Sequence, residues 1–293
     1  MNKRKVGVLG ASSMVGQYVI DRLAASGYSI FAFSRSPVEG AAQIGVSWHA
    51  LNHSKAEAPA EGLLSWVCLC PIWAVPEHFE LIKNSGVQRI VALSSTSRFT
   101  KTVEAGSKDT HENALAKRLE EGEKVLRDWA EQNGIEWVIL RPTLIYDLAR
   151  DKNLLQIAEF IRRYGFFPLL GEAQGRRQPV HVSEVADAVF SAMTAPSAAN
   201  KDYNISGGET MTYREMVERI FKLLGREPRF IQIPMTGFAI AIYLARIVPR
   251  YRYLSGAMVQ RMSQDMVFDH ETAKSDFGYS PGNFLSIAKE RAK

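Results

Sequence analysis

An α/β fold with a parallel sheet is the prediction that this 293-residue chain supports best. Short apolar runs alternate with amphipathic helical stretches through the first half of the chain, and a glycine-containing turn joins the first run to the first helix. The composition, 46% hydrophobic and 23% charged, is that of an ordinary globular protein. It excludes a disordered chain, a collagen-like repeat, a coiled coil and a small disulfide-stapled domain.

The first half of the chain alternates regularly. Predicted strands cover residues 5–9, 29–33, 46–50, 65–70, 88–93 and 136–140. Predicted helices cover residues 14–25, 76–84 and 109–132, and the last of these carries leucines at helical spacing on one face. Because strands and helices at this spacing form βαβ units, residues 1–142 are predicted to build one doubly wound parallel sheet.

After residue 142 the pattern becomes richer in proline and glycine. Further helices are predicted at 153–164, 183–193, 213–224 and 237–248. We expect residues 143–293 to form mostly a smaller lobe, from which a stretch at about 178–206 returns to the core. Such a lobe would pack at the carboxyl ends of the strands, where open α/β sheets bind their ligands.

The positive charge of the chain is concentrated in one segment. The net charge is +5, and residues 225–262 hold six arginines against one acidic residue, Glu227. This segment favours a phosphate-bearing ligand, an anionic membrane surface or an acidic partner, and scattered solvated arginines are an equal alternative. Within it, the apolar stretch 235–248 favours core or dimer packing over a place in a membrane interface. We expect no nucleic-acid partner.

The remaining composition favours a cytoplasmic protein. Cys68 and Cys70 lie two apart in an apolar run, which is typical of buried, reduced thiols. The first twelve residues lack an apolar signal region, and no run approaches the ~18 residues that a spanning helix needs. His49 and His53 are four apart, but the segment is predicted to be a strand end and loop, so we expect no metal site.

The most informative motif follows the first strand directly. It begins at Gly10, ends at Gly16 and reads GASSMVG. Gly10 allows a tight turn, Gly16 allows close packing of helix on strand, and the helix N-terminus offers N–H groups to a pyrophosphate. Ser13 stands where a middle glycine is usual; it can donate to a phosphate but restricts the approach of the backbone. A plain strand–helix turn is the alternative.

The end of the second strand indicates which dinucleotide would bind. An acidic residue there would bind the ribose hydroxyls of NAD, but the sequence reads FSRSP from residue 33 to 37. Arg35 can bind a 2′-phosphate, with Ser34 and Ser36 donating hydrogen bonds. This favours NADP(H) over NAD(H), and a surface arginine in a loop is the alternative.

Together with four later motifs, these residues resemble the short-chain dehydrogenase/reductase superfamily in its extended or atypical branch. The later motifs are VALSSTS at 91–97, LRPTLIY at 140–146, QPVHVSEVA at 178–186 and YNISGGE at 203–209. The branch includes nucleotide-sugar epimerases and dehydratases and an accessory subunit of respiratory complex I. The resemblance covers nearly the whole chain and implies a seven-stranded Rossmann-type core with a small C-terminal substrate lobe.

The resemblance also implies which residues bind the cofactor. They share a place at the carboxyl ends of the strands: Gly10, Ser12, Ser13, Met14, Val15 and Gly16 at the pyrophosphate, Ser34, Arg35 and Ser36 at the adenosine phosphate, Asn52 beside the adenine, Pro71 and Ile72 at the riboses, and Pro142, Thr143 and Leu144 at the nicotinamide. It further implies a small or nucleotide-linked substrate.

The sequence departs from the family at the centre of the chemistry. Thr96 matches the family's catalytic Ser or Thr. The family also uses a Tyr and a Lys, separated by three residues on the long helix, as a proton relay. This chain has no tyrosine between Tyr28 and Tyr146, so the usual relay is absent.

Two registers of the long helix remain open at this stage. If Lys117 takes the place of the family lysine, Asn113 takes that of the tyrosine. If the register follows Glu123 instead, both places are leucine, Leu115 and Leu119.

Other groups are candidates for proton transfer. His111 opens the long helix and Tyr146 follows the sixth strand, where a structural role is more common. Lys117 is a candidate for ribose binding or simply a solvated helix lysine. Two functions therefore stay open: an NADP(H)-dependent oxidoreductase or epimerase-like enzyme, and a non-catalytic NADP(H)-binding protein with a structural or redox-sensing role.

Overall fold

The computed structural model of the protein describes residues 4–35, 44–51, 62–100, 110–148, 150–233 and 262–286. The chain divides into two compact units. The first unit comprises Met1–Ile145, Val180–Ser206 and Phe268–Pro281, and the second comprises Tyr146–Pro179, Gly207–Val267 and Gly282–Lys293. The division predicted from the sequence, at residue 142 with a returning stretch at about 178–206, stays a prediction, and the segment Phe268–Pro281 of the first unit was not predicted to return.

The strands are β1 (Lys5–Leu9), β2 (Ser29–Ser34), β3 (Val46–Ala50), β4 (Ser65–Cys68), β5 (Arg89–Leu93), β6 (Glu136–Pro142), β7 (Ile145–Tyr146), β8 (Phe167–Leu170), β9 (Arg176–Arg177), β10 (Val180–His181), β11 (Lys201–Ile205), β12 (Met211–Thr212) and β13 (Phe230–Ile233). The helices are α1 (Met14–Ala25), α2 (Phe79–Asn84), α3 (Ser97–Thr100), α4 (Thr110–Gln132), α5 (Lys152–Tyr164), α6 (Val182–Thr194), α7 (Tyr213–Leu223) and α8 (Glu271–Phe277).

The first unit contains a seven-stranded sheet in the order β11-β6-β5-β4-β1-β2-β3. Every neighbouring pair is parallel. The order reverses between β1 and β4, which places a ligand crevice at the carboxyl ends of these strands. The predicted α/β class with a Rossmann-type parallel sheet is confirmed.

Both faces of this sheet are buried, which explains the continuous apolar runs of its strands. Val6 and Val8 of β1 belong to a core that includes side chains of α1 and α6, whereas Leu9 belongs to a second core that includes side chains of α4. Gly7 lies between Val6 and Val8 in the sequence of β1, and a Cβ atom on it would come within 2.6 Å of the indole of Trp66. A glycine on β1 therefore leaves room for the largest side chain of β4.

Helix α4 fixes the chain that follows β4. Leu119, Leu126 and Ala130 of α4 are buried in the second core. A Cβ atom on Gly122 would lie 2.9 Å from the backbone nitrogen of Trp73, so the helix and the segment after β4 approach at backbone distance. This segment is a 3-10 turn, Ile72–His78, with Pro76 inside it. The predicted helix at 76–84 is therefore shorter, because only α2 is α-helical.

The second unit is built around α5 and α7 with short strand pairs. β9 pairs with β12 in antiparallel fashion, and β8 pairs with β13 in parallel fashion. Helix α7 begins with a capping box, in which Thr212 Oγ1 accepts from the Glu215 N–H at 3.1 Å and the Glu215 carboxylate accepts from the Thr212 N–H at 2.7 Å. The predicted helix at 237–248, and with it the apolar stretch 235–248, lies outside the described residues. Among the described helices, none is long and apolar enough to cross a membrane.

Candidate functional site

The turn after β1 requires glycine at its first position. Gly10 has a φ of +77°, and a Cβ atom there would lie 2.6 Å from the backbone nitrogen of Cys70. The N–H groups of Gly10 and Ala11 both donate to the carbonyl of Phe33, at 3.0 and 3.1 Å. The loop is therefore held against the ends of β2 and β4, with no side chain between them.

The N-terminus of α1 is open to an anion. A Cβ atom on Gly16 would lie 2.1 Å from the carbonyl oxygen of Ala11, so only glycine fits there. Ser13 caps the helix, and its Oγ accepts from the Gly16 N–H at 3.1 Å. Since Met14 and Val15 begin the helix, their N–H groups have no intrahelical acceptor. These N–H groups and the helix dipole fit a pyrophosphate.

The end of β2 carries the residues predicted to select the adenosine phosphate. Ser34 is buried, and its Oγ donates to Ser12 Oγ at 2.8 Å, so this proton is already in use. Ser12 and Arg35 are exposed at the same edge of the sheet. Of the remaining predicted residues here, Ser36 and Asn52 lie outside the described residues.

A cavity of about 350 Å³ opens beside the glycine loop, entirely within the first unit. Its lining comes from the segments after β1, β4, β5 and β6 and from one face of α4: Ser13, Met14, Val15, Leu69, Cys70, Pro71, Ile72, Trp73, Leu93, Ser94, Ser95, Ser97, Leu115, Leu119, Pro142 and Ile145. The cavity thus lies where the strand order reverses, and its lining is mainly apolar.

The segment after β4 contributes an apolar wall and one thiol. Ile72 is completely buried and Pro71 is exposed. Burial raises the pKa of Cys70 to about 11, with Glu77 adding to the shift and Arg35 opposing it. Both cysteines are free, as predicted, and burial also raises the pKa of Cys68. At neutral pH the Cys70 thiol is therefore protonated and a poor nucleophile.

Hydroxyl groups follow β5. Ser94, Ser95 and Ser97 line the cavity. Thr96 is 6% exposed, its Oγ1 donates to the Pro142 carbonyl at 3.2 Å, and it is not among the described lining residues. The predicted catalytic role of Thr96 stays a prediction, and the three serines are the hydroxyls that sequence reasoning missed.

The structure distinguishes the two registers of α4. Leu115 and Leu119 line the cavity, whereas Asn113 and Lys117 are exposed to solvent. The register that presents leucine at both places therefore faces the cavity. The ribose-binding role predicted for Lys117 stays a prediction.

A buried ionic cluster lies one helical turn beyond Leu119. The Glu123 carboxylate, 1% exposed, accepts from Arg141 Nε at 2.9 Å and from Arg141 Nη2 at 2.7 Å, and also from Arg98 Nη1. Ser94 Oγ donates to Glu123 Oε1 at 2.5 Å. Arg141 is further paired with Asp202 of β11. The spacing 115, 119, 123 was the sequence signal for this face, since residues four apart share one side of a helix.

The other predicted proton donors are placed as follows. Tyr146 is 2% exposed, and its hydroxyl accepts from the Leu285 N–H at 2.9 Å within the second unit. Its ring packs edge-to-face on Phe284, with centroids 5.0 Å apart. These contacts suit a structural tyrosine, and the proton-transfer role predicted for Tyr146 stays a prediction. His111 lies in α4, but its side chain is outside the described residues, so its predicted role stays a prediction.

Backbone hydrogen bonds hold the segment after β6 in place beside the cavity. Pro142 lines the cavity, the Thr143 N–H donates to the Ile205 carbonyl at 3.0 Å, and the Leu144 carbonyl accepts from Val180 at 2.9 Å. In the part of the chain that the structure describes, no cluster of three or more His, Cys, Asp or Glu residues could hold a metal ion.

Comparisons with known proteins agree with this geometry. Residues 77–206 match the model of the NAD dependent epimerase/dehydratase family. The match confirms the resemblance that the sequence motifs predicted. The chain superimposes on MoeE5, solved in complex with UDP-glucuronic acid and NAD, with a TM-score of 0.70 at 18% identity, covering 99% of this chain and 100% of that one. This likeness shows the fold.

Two curated relatives illustrate the range of the similarity. The chain is 31% identical over 100 residues to the mitochondrial NADH dehydrogenase (ubiquinone) 1 alpha subcomplex subunit 9 of Arabidopsis thaliana. The matched region covers 34% of this chain and 25% of that protein. The chain is 26% identical to 2-alkyl-3-oxoalkanoate reductase of Stenotrophomonas maltophilia, covering 99% of this chain and 98% of that protein. In three of the curated relatives, the one from Arabidopsis thaliana included, the matched region spans only 25%, 40% and 61% of the relative's own length.

Proposed function

We propose that this protein binds NADP(H) in the cavity beside the glycine loop and acts as an oxidoreductase or epimerase-like enzyme on a small or nucleotide-linked substrate. The observation that carries the proposal is the loop itself. At Gly10 and Gly16 a Cβ atom would collide with backbone atoms, and two helix N–H groups are left without an intrahelical acceptor. A bound nicotinamide dinucleotide would supply hydride transfer.

The preference for NADP(H) rests on Arg35. Its side chain is exposed at the end of β2, and an arginine suits a 2′-phosphate through bidentate, charge-assisted hydrogen bonds. In this proposal Arg35 and Ser12 contact the phosphate directly. Ser34 acts through its hydrogen bond to Ser12.

The relatives support the oxidoreductase or epimerase class. They include 2-alkyl-3-oxoalkanoate reductase, which matches along nearly the whole chain, and a UDP-glucose 4-epimerase from Vibrio cholerae, 23% identical over 208 residues. We propose that the proton in such a reaction comes from water or from His111, since Leu115 and Leu119 occupy the cavity face of α4.

A second candidate function is favoured by the same two leucines. Because leucines occupy the cavity-lining positions 115 and 119 of α4, the cavity suits a protein that binds NADP(H) without turning it over, as a structural element or a redox sensor. The two candidates share the binding step and differ in whether bound NADPH is consumed.

A calorimetric titration with NADPH and NADH tests the binding step, with Arg35→Ala beside the wild type. We expect the wild type to bind NADPH more tightly, and Arg35→Ala to weaken NADPH about 10- to 100-fold while NADH changes little. Equal affinity for the two dinucleotides in the wild type would contradict the preference. Absence of binding would contradict the function.

Turnover is tested next, on a panel of UDP-sugars and carbonyl compounds, by loss of NADPH fluorescence and by product analysis. Under the enzyme hypothesis Thr96→Ala abolishes turnover and keeps NADPH affinity. Full activity of Thr96→Ala would remove Thr96 from the chemistry. NADPH binding without turnover of any compound in the panel would favour the second candidate.

A further inference from the structure

Two of the serine hydroxyls that line the cavity, those of Ser94 and Ser95, have opposite hydrogen-bonding character. Ser94 Oγ donates its only proton to Glu123 Oε1, at 2.5 Å. Ser95 Oγ accepts from the Ser97 N–H at 3.1 Å, which leaves its own proton available. Toward a ligand, Ser94 can therefore only accept a hydrogen bond, whereas Ser95 can donate one.

The acceptor character of Ser94 is fixed by the ionic cluster behind it. A carboxylate offers about four lone-pair sites, and those of Glu123 are filled by Ser94, two N–H groups of Arg141 and one of Arg98. Glu123 is 1% exposed and Arg141 is 6% exposed, so the cluster is shielded from water. Rotation of the Ser94 hydroxyl toward the cavity would leave one buried lone pair of Glu123 unsatisfied, which is costly.

The surroundings of Ser94 make this acceptor selective. Leu115 and Leu119, the cavity residues of α4, cannot form hydrogen bonds, and Leu93 and Pro142 nearby in the lining are also apolar. A carbonyl or phosphate oxygen placed against Ser94 would bring lone pairs against lone pairs. A hydroxyl or amide N–H would be satisfied there.

We propose that Ser94, held by Glu123, is a specificity-determining acceptor that binds a hydrogen-bond donor on the nicotinamide half of the dinucleotide, either a ribose hydroxyl or the carboxamide N–H. This inference rests on the proposed function, because it takes the dinucleotide as the ligand of the cavity. Glu123 is a positioning residue: it acts on the ligand only through Ser94.

Three ligands separate the possible donors. NADPH carries both the ribose that bears the nicotinamide and the carboxamide. 2′-Phospho-ADP-ribose keeps that second ribose without the nicotinamide, and adenosine 2′,5′-bisphosphate has only the ribose of its adenosine. Each is titrated by calorimetry into the wild type, Ser94→Ala and Ser47→Ala. Ser47 is the control, since its substitution removes the same hydroxyl group but it is exposed on β3 and is not among the residues that line the cavity.

We expect Ser94→Ala to weaken NADPH about tenfold and to leave adenosine 2′,5′-bisphosphate within twofold of the wild type. Weakening of 2′-phospho-ADP-ribose to the same extent as NADPH identifies the ribose hydroxyl as the donor; weakening of NADPH alone identifies the carboxamide. Ser47→Ala should bind all three ligands like the wild type.

Two results would overturn the inference. One is an unchanged NADPH affinity in Ser94→Ala. The other is equal weakening of all three ligands, which would indicate a general disturbance of the site. Failure of the wild type to bind NADPH would overturn the proposed function itself, and with it this inference. The wild-type titration alone shows whether this is the case.

Discussion

The two sides of the cavity, formed by the glycine loop and by α4, differ in the chemistry that their residues allow. On the side of the glycine loop, Gly10 and Gly16 are positions where no other residue fits, and the first N–H groups of α1 have no intrahelical acceptor. On the side of α4, Leu115 and Leu119 line the cavity, at one of the two pairs of positions where the resemblance would place a tyrosine and a lysine. Under the proposed function, the difference separates the elements that bind a dinucleotide from those that move a proton.

The largest effect is expected at Glu123, which lies beyond Leu119 on the cavity face of α4. We expect Glu123 to hold the fold rather than to take part in chemistry. Glu123→Ala should lower the free energy of unfolding by about 3 kcal/mol, because buried Arg141 would lose both hydrogen bonds to the carboxylate and keep only Asp202 as an ion-pair partner. Urea denaturation measures the change.

The matched control for this prediction is Glu120→Ala. Glu120 is also on α4 and lies 3.3 Å from Arg98, but its side chain is 61% exposed. We expect a change within about 0.5 kcal/mol. Similar values for the two variants would show that the Glu123 cluster contributes no more than a surface ion pair.

The loop side is tested by Gly10→Ala. Because the new Cβ atom would meet the backbone of Cys70 and the φ is positive, we expect a loss of about 2 kcal/mol or more of stability and a fall of at least tenfold in NADPH affinity. Urea denaturation and calorimetry report the two effects.

Gly27→Ala separates backbone strain from the clash at the loop. Gly27 has a φ of +78°, but a Cβ atom there would have nothing within 4 Å. We expect about 1 kcal/mol of destabilisation and unchanged NADPH affinity. An equal loss of affinity in both variants would mean that Gly10 acts through general stability alone.

The outer edge of the sheet adds a smaller, pH-dependent effect. The ring of His49 stacks on Phe31 and Phe33, with centroids 5.8 and 5.1 Å apart, and burial lowers its pKa from the ordinary 6.5. The unfolded chain therefore binds this proton more readily than the native protein does. Stability should fall as the pH drops below about 6.5.

His49→Phe keeps a stacked ring and removes the titrating group. Urea denaturation at pH 7 and pH 5 should show a smaller loss of stability on acidification in this variant than in the wild type. An identical pH dependence would mean that other groups, such as His78, whose pKa is also lowered by burial, account for the effect.

The smallest effect is expected at Lys117. Because its side chain is exposed on the side of α4 away from the cavity-lining leucines, Lys117→Ala should change stability by less than about 0.5 kcal/mol and leave NADPH affinity unchanged. A clear loss of NADPH affinity would restore the ribose-binding role predicted from the sequence.

Local patterns predicted most of the fold. Strands 5–9 and 46–50 and helix 14–25 were found with the predicted bounds, because their hydrophobic periodicity and the glycine turn are local signals. The 3-10 turn at Ile72–His78 was missed, since Pro76 interrupts the helical hydrogen bonds within an apolar pattern. Helix α8 was also missed.

The site was predicted less completely than the fold. The glycine loop could be predicted because its residues are contiguous. The cluster of Glu123 with Arg141 and Ser94 joins a helix to the ends of two strands, and only the sheet order brings these residues together. The choice between the two registers of α4 likewise needed the position of the helix against β5 and β6.

Hydrogen–deuterium exchange with and without saturating NADPH tests the central claim most directly, because it locates the ligand as well as detecting it. The account predicts that exchange slows most at 10–16 and at 94–97, the loop and the segment after β5 that adjoin the cavity. Slowing that is greatest elsewhere, for example in α7 of the second unit, with residues 10–16 unchanged while calorimetry detects binding, would contradict it.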